Sequence, residues 1–490
     1  MTTTAPTKPM HPWTRHIHVS YVPGPRDALV DAMVPELLAA FARLGHGVEE
    51  TPTPETDVVL TTARFGEPLE WREATFFSLR RTYGLVHQPT LYTIVHAQRE
   101  EFDRLLAHFG TLLQKEPPDP RDYEFPGLSP TAYHVLVEQG RRGGPILALE
   151  RLVQAQAMSI RVLLVVGDQR AEDIYHFDLV GAYPTSAGAT LDEVFEDTAR
   201  RIATTVSTTE VTAHEVVGEA IPHSLWQTLE TPTAMAAAGR ELGRRGFFTE
   251  MVRIADLVSV PAVTEGVASQ YSEGCFSTWD ATLGALVATV TGSARPVDKG
   301  EITEDDLAVI AGVREDGVGA QVREVDGKRN DPPSSEAVEM MDMDRRLPQI
   351  DFHGARVPVV RSKLHGHRGI AGYDPGHVEF VPLEEPYYHY LVSCATDAQA
   401  QGIKGAFERS QAMRDPGDPR AVAFTVLPGH GCFIAEKWVD GKAPFQTMWE
   451  FMDAGYLEIE SPLPQGPMRY EEAGDGRMML AVAPEHARPR

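Results

Sequence analysis

The stretch His16-Ile17-His18-Val19-Ser20-Tyr21-Val22, taken with the residues as far as Leu60, decides the fold of the first part of the chain. Ile17, Val19 and Tyr21 alternate with His16, His18 and Ser20, the period of a half-buried strand. Pro23-Gly24-Pro25 breaks the run, and a helical pattern extends from about Arg26 to Leu44. Gly45-His46-Gly47 ends it as a C-cap glycine should. Val48 resumes an extended run, and Asp57-Val58-Val59-Leu60 reads as a buried strand. Strand, helix, strand at this spacing is a βαβ unit, which predicts an open, mostly parallel α/β sheet. Thr90 to Val95 and a helix from about Gln98 to Leu113 form a further unit, and Lys115 to Pro120 is the first linker. No G-x-G-x-x-G or Walker pattern opens these helices, so no nucleotide site is expected.

Working outward, a second α/β segment comes next. Ser159 to Val166 reads as a strand, and Ala189 to Ala203 and Ala234 to Gly246 as helices. The third segment is read as a helical apolar run from Leu283 to Val290 that starts near Asp280. Extended runs come after it at Val357 to Val360, Val378 to Val381 and Ala421 to Leu427. Trp449 to Met452 is helical, Tyr456 to Ile459 is a strand, Val325 to Glu336 is a polar loop, and the tail after about Glu471 is expected to fray. The predicted class is α/β: two open Rossmann-like parallel-sheet domains, 1–143 and 144–264, followed by a C-terminal mixed β-barrel-type domain, 265–490.

The 490 residues are 42% hydrophobic and 23% charged, a globular composition. Lys+Arg number 45 and Asp+Glu 70, so the net charge is 45 − 70 = −25. Such a surface repels phosphate backbones, and nucleic acid is not an expected partner. No stretch reaches the ~18 apolar residues of a membrane span, and Met1 to Pro6 holds no apolar signal core. The three cysteines are too few for a disulfide framework. A cytoplasmic enzyme is expected.

Three motifs carry candidate chemistry. Glu273 stands beside Gly274 at an expected strand-to-helix junction. Asp298 follows Gly292 to Val297, at the start or end of a strand. His430 lies in Pro428-Gly429-His430-Gly431 after an apolar strand. Two carboxylates and an imidazole at the ends of elements make an oxygen-rich set suited to Mn²⁺ or Mg²⁺. Each has a plainer reading: a loop acid, a surface pair of Asp298 with Lys299, and a turn histidine. His365 and His367 share one side of a strand and read as a basic turn or an anion or second-metal site. Tyr387 to Tyr390 reads as a packed strand or a sugar-stacking surface, and Glu436-Lys437-Trp438 as a lining of the His430 pocket.

These motifs resemble those of the L-fucose/L-arabinose isomerase superfamily, metal-dependent ketol isomerases with two α/β domains and a barrel-type domain. Ser272-Glu273-Gly274 and the helix expected after it resemble the segment bearing the first metal acid. Gly292 to Leu307, with Asp298, resembles the segment of the second acid, 298 − 273 = 25 residues on. Ala421 to His430 resembles the strand bearing the metal histidine. Cys275 replaces an Asp of the arabinose enzymes, Val309 to Val313 holds no further histidine, and Gly431 replaces a second late one. The likeness is therefore to the fucose-type set of Glu, Asp and His.

The resemblance implies a cytoplasmic homo-oligomer, a trimer or hexamer, acting on a small-molecule sugar. It also implies that Glu273 and Asp298 are catalytic, with Glu273, Asp298 and His430 as ligands of Mn²⁺ or Mg²⁺. Two alternatives stand beside it. One is a non-catalytic sugar- or metabolite-binding protein on the same fold. The other is an Fe–S hydro-lyase whose cluster is held by Cys275, Cys394 and Cys432.

Overall fold

The computed structural model describes residues 15–64, 90–104, 107, 161–167, 174–178, 181–184, 190–208, 214–245, 247–248, 274–291, 297–315, 319–334, 336–366, 369–384, 397–427, 431–460 and 469–481. Across them the chain is mixed α/β, with a sheet containing five parallel strands and a larger mixed sheet.

The first sheet opens as the alternation predicts. Strand β1 (His18–Tyr21) leads into helix α1 (Ala28–Arg43), then β2 (Gly47–Glu49) and β3 (Val58–Arg64). Asp27 caps α1, its carboxylate accepting from Leu29 N at 2.9 Å and Val30 N at 3.1 Å. Gly45, at φ 85°, ends the helix, a left-handed position that favours glycine. Strands β4 (Thr90–Ala97), β5 (Arg161–Val166), β6 (Ile174–Asp178) and β7 (Gly181–Pro184) complete the order β2-β1-β3-β4-β5-β6-β7. The first five are parallel, and β6 and β7 run antiparallel. Helix α2 (Leu191–Thr208) lies beside α1, where Val30, Met33, Leu37 and Phe41 meet Val194, Phe195, Ala199 and Ile202 over the sheet. Strands from both sides of the boundary expected at 143/144 therefore share one sheet.

At the carboxyl edge of this sheet the strand ends are tied by polar contacts. Gly24 N donates to Thr62 Oγ1 at 3.0 Å, and a Cβ on Gly24 would lie 2.1 Å from the Thr62 carbonyl oxygen. Only a glycine lets this loop sit down on β3. His96 Nδ1 is 2.8 Å from Asp27 Oδ2 and its Nε2 is 3.1 Å from the Gly167 carbonyl. Both partners are acceptors, so each ring nitrogen of His96 faces an oxygen.

The second sheet has nine strands. In chain order they are β8 (Glu215–Val216), β9 (Cys275–Asp280), β10 (Ala285–Thr289), β11 (Leu307–Val313), β12 (Ala320–Arg323), β15 (Val360–Gly366), β17 (Val378–Phe380), β18 (Val422–Leu427) and β19 (Gly431–Lys437). Across the sheet they lie as β17-β18-β19-β15-β9-β10-β11-β12-β8. A hairpin, β13 (Gln349–Phe352) with β14 (Ala355–Pro358), precedes β15. Helix α3 (Thr231–Arg244) covers one face through Met235, Ala238 and Leu242. Helices α4 (Glu336–Arg346), α5 (Asp397–Arg409) and α6 (Gln411–Arg414) cover the other, through Met340, Met343, Phe407 and Met413. Among the described residues no pairing joins β17 to β8, so the sheet is open where a barrel is expected from the sequence. A smaller sheet combines β16 (Gly369–Tyr373) with three strands that follow helix α7 (Gln446–Asp453), β20 (Leu457–Glu460), β21 (Arg469–Glu472) and β22 (Met478–Ala481), in the order β20-β16-β22-β21.

Two expectations are corrected here. The apolar run Leu283 to Val290 is a turn leading into strand Ala285–Thr289, not helix. Cys275–Asp280 and Ala285–Thr289 pair antiparallel across a turn at Gly284, whose φ is 58°. Asp280 Oδ1 accepts from Thr282 N and Leu283 N, both at 2.9 Å, and fixes that turn. The run is buried on both faces, so it shows no period, and β-branched Val287, Thr289 and Val290 favour extended backbone. The tail after Glu471 is ordered as far as Ala481, because β22 pairs with both β16 and β21.

Candidate metal centre at one end of the nine-stranded sheet

Glu273 and His430 lie outside the described residues; their chain neighbours Gly274 and Gly431 lie within them. The register places those neighbours. Cys275 pairs with His365, Gly366 pairs with Cys432, and Leu427 pairs with Gly431. Gly274 and Gly431 thus stand at the same end of the sheet, one strand apart across β15. Gly274 has φ 81°, and a Cβ there would lie 2.8 Å from the His365 carbonyl and 3.2 Å from the Phe248 ring. A Cβ on Gly366 would lie 2.9 Å from Phe247. The two phenylalanines fill the space that these glycines leave.

Asp298 is described, and it sits in a turn rather than at a strand end. Its Oδ1 accepts from Gly300 N at 2.8 Å, and Glu301 N donates to its carbonyl at 3.0 Å. The carboxylate is exposed, and Oδ2 bonds nothing among the described residues. This turn meets the same end of the sheet. A Cβ on Gly239 of α3 would lie 2.6 Å from the Lys299 carbonyl, and one on Gly243 would lie 3.0 Å from Gly300 Cα and 3.9 Å from Phe248. The Lys299 side chain, buried beside Asp298, acts electrostatically on the Cys275 thiol. The described neighbours of all three candidates therefore collect in one region.

Cys275 is fully buried. Burial, then the nearby Glu336 carboxylate, push its thiol up to about 12, so it is an inert packing residue and no nucleophile. Cys275 and His365 are cross-strand partners, as are His365 and Phe433, so these three share the face covered by α4, α5 and α6. Cys432, one residue before Phe433, faces the other way into the α3 side of the core. A single iron–sulfur cluster cannot be held by both thiols. Cys394, His367 and Tyr387 to Tyr390 lie outside the described residues.

His365 is buried, and its Nδ1 lies 3.1 Å from the Cys432 carbonyl. Two residues away, Lys363 Nζ donates to Asp344 Oδ2 of α4 at 2.6 Å. Glu436 does not line the expected pocket. It stands at the far end of β19, where its carboxylate accepts from Phe445 N and Met448 N, each at 2.8 Å, at the start of α7. Burial pushes it up to about 7. Trp438, beyond it, donates through Nε1 to the Pro358 carbonyl at 2.8 Å and carries the Arg361 guanidinium 4.5 Å over its ring.

Sequence reading misses the Lys363–Asp344 pair and the Asp27–His96 contact. Each joins residues from separate elements, and no motif announces either. Among the described residues no three His, Cys, Asp or Glu side chains form a group fit for a metal ion, and no helix is long and apolar enough to cross a membrane. The donor types of the candidate set suit a hard divalent cation, and Asp298, its described member, offers an exposed carboxylate with one open oxygen. Compared with known proteins, the chain matches no family model, no curated protein and no solved structure.

Proposed function

We propose that this protein is a metal-dependent aldose–ketose isomerase. In this reading Glu273, Asp298 and His430 hold one Mn²⁺ or Mg²⁺, and Glu273 and Asp298 move the protons. One observation carries it: Gly274, Gly431 and the 297–301 turn gather at one end of the nine-stranded sheet. A shared ligand set requires distant segments to meet, and the described chain neighbours of Glu273 and His430 support that reading.

When bound, a divalent cation supplies electrophilic stabilisation for the negative charge that develops on the sugar oxygens. Glu273 takes a proton from one carbon and returns it to its neighbour. Asp298, with Oδ1 fixed by Gly300 N and Oδ2 open, manages the hydroxyl protons. His430 serves as a holding residue. Phe247 and Phe248 close the sheet end against Gly366 and Gly274 and limit water on that side.

The test is metal analysis of the purified, Mn²⁺-equilibrated protein after exhaustive dialysis, paired with an aldose screen. The expected result is about one retained Mn²⁺ per chain, lost in Glu273→Ala, Asp298→Ala and His430→Ala. Full retention in all three variants would overturn the reading.

A further inference from the structure

We infer that His16 and His18 form a second metal site, for an imidazole-preferring transition-metal cation such as Zn²⁺ or Cu²⁺, at the start of the first sheet. It is independent of the isomerase reading and lies on a different sheet.

His18 opens β1 and His16 stands two residues before it, a spacing that puts both rings on the same side of an extended chain. Their Nδ1 atoms are both committed. His16 Nδ1 lies 2.8 Å from the Gly45 carbonyl, and His18 Nδ1 lies 3.0 Å from Glu49 Oε1. Both partners are acceptors, so each Nδ1 carries its proton, and in the neutral ring the lone pair is at Nε2. This is the outer-shell pattern of metal-bound histidines: one ring nitrogen donates to a carbonyl or carboxylate, and the other faces the ion.

The supporting carboxylate is itself held. Glu49 Oε1 and Oε2 each accept from Thr53 Oγ1 at 3.0 Å, and Oε2 also accepts from Thr56 Oγ1 at 2.7 Å. Gly47, paired with His18 across the β1–β2 register, leaves the space both rings use. A Cβ there would lie 2.8 Å from His18 Nδ1 and 3.4 Å from His16 Nε2.

The separation also fits. A metal–nitrogen bond of about 2.1 Å puts each ring centre about 3.2 Å from the ion, and a tetrahedral angle then sets the two centres about 5.2 Å apart. The observed centroids are 5.0 Å apart with the planes at 85°. His46 is not a third ligand. It is buried against Phe41, and its Nδ1 accepts from Ile17 N at 3.4 Å. The pair therefore leaves coordination positions open to water, and imidazole donors favour Zn²⁺, Ni²⁺ or Cu²⁺ over Mg²⁺.

The experiment titrates the full-length protein with Zn²⁺ against a chromophoric chelator and records the electron paramagnetic resonance spectrum of the Cu²⁺ form. His16→Gln and His18→Gln should each weaken one Zn²⁺ site by at least tenfold. Glu49→Gln, which touches no metal, should weaken it by about 10- to 100-fold, and the Cu²⁺ spectrum should show coupling to two nitrogens that each histidine variant reduces to one. Glu273→Ala and His430→Ala should leave this site unchanged, so its outcome is separate from that of the proposed isomerase centre. Unaltered Zn²⁺ affinity in both histidine variants, at unchanged circular dichroism, would overturn the assignment, as would a Cu²⁺ spectrum without two-nitrogen coupling.

Discussion

Lys363 Nζ lies 2.6 Å from Asp344 Oδ2, and both side chains are sealed between the nine-stranded sheet and α4. Room for the lysine stem comes from small cross-strand neighbours: Ala435 and Ser277 flank it, with Ala423 and Ala288 beyond. Burial pushes Asp344 up and Lys363 down, so each ion is tolerable chiefly because of the other. Lys363→Met should destabilise the protein by about 3–5 kcal/mol, and Lys363→Met with Asp344→Leu should recover much of that. Chemical denaturation of the two single variants and the double variant reads the coupling directly.

Asp27 has two tasks, capping α1 and bonding His96. Burial alone would push its carboxyl up, but the His96 hydrogen bond and the amides of Val30 and Leu29 hold it below its ordinary value. A depressed carboxyl stabilises above its unfolded pKa, and that contribution is lost as pH falls through the folded one. Asp27→Ala should cost about 1–2 kcal/mol, and Asp27→Asn less, since asparagine still caps. Asn should also flatten the acid limb of a stability–pH profile below about pH 4. An unchanged profile would remove His96 from the account.

Glu436 predicts the opposite slope. Its folded pKa rises from an ordinary 4.5 to about 7, so the folded state binds the extra proton. Its contribution is full below pH 4.5 and is lost as pH rises toward 7. Each pH unit crossed in that window removes up to about 1.4 kcal/mol. Thermal melts of wild type and Glu436→Gln between pH 4 and 8 should converge at the acid end, where the buried carboxyl is neutral like the amide, and wild type should fall below the variant as pH rises toward 7.

Cys275 and Cys432 should resist thiol reagents in the native protein. Both are fully buried, and the Cys275 thiol stays protonated at any working pH. Peptide mapping after a native alkylation pulse should find neither modified, and both should label in denaturant. Rapid native labelling of Cys275 would contradict its environment.

Gly274→Ala probes the proposed metal centre from a described position. Alanine at φ 81°, with its Cβ 2.8 Å from the His365 carbonyl, forces the start of β9 to shift. Mn²⁺ retention should fall together with stability, by about 1–3 kcal/mol. Unchanged metal content at reduced stability would separate β9 from the site.

The legible part of the fold is the part with a clean period. Ile17, Val19 and Tyr21 all pack into the first core, although Ser20 between them is buried as well, and Gly45 marks the end of α1. The strand Ala285–Thr289 reads as helix because burial on both faces erases the period, leaving only β-branching as a signal. The end of the chain reads as frayed because the turn Ala473 to Arg477 is polar, yet that turn lets β22 fold back onto β21 and β16. At the candidate site, closeness in sequence groups Glu436 with His430. A seven-residue strand carries Glu436 to the opposite end of the sheet, a separation that sequence distance hides.

Strand β4 ends at Ala97 and its parallel neighbour β5 begins at Arg161. The seven-stranded layer is thus stitched across a long excursion of the polypeptide. A fragment stopped near residue 143 would present β4 as a raw edge of unmatched amides and carbonyls, a template for aggregation. Supplying the remainder in trans should heal that edge, which makes the seam a natural place for fragment complementation. Pairing of such distant segments also raises contact order, so closure of this layer is expected among the slow steps of folding.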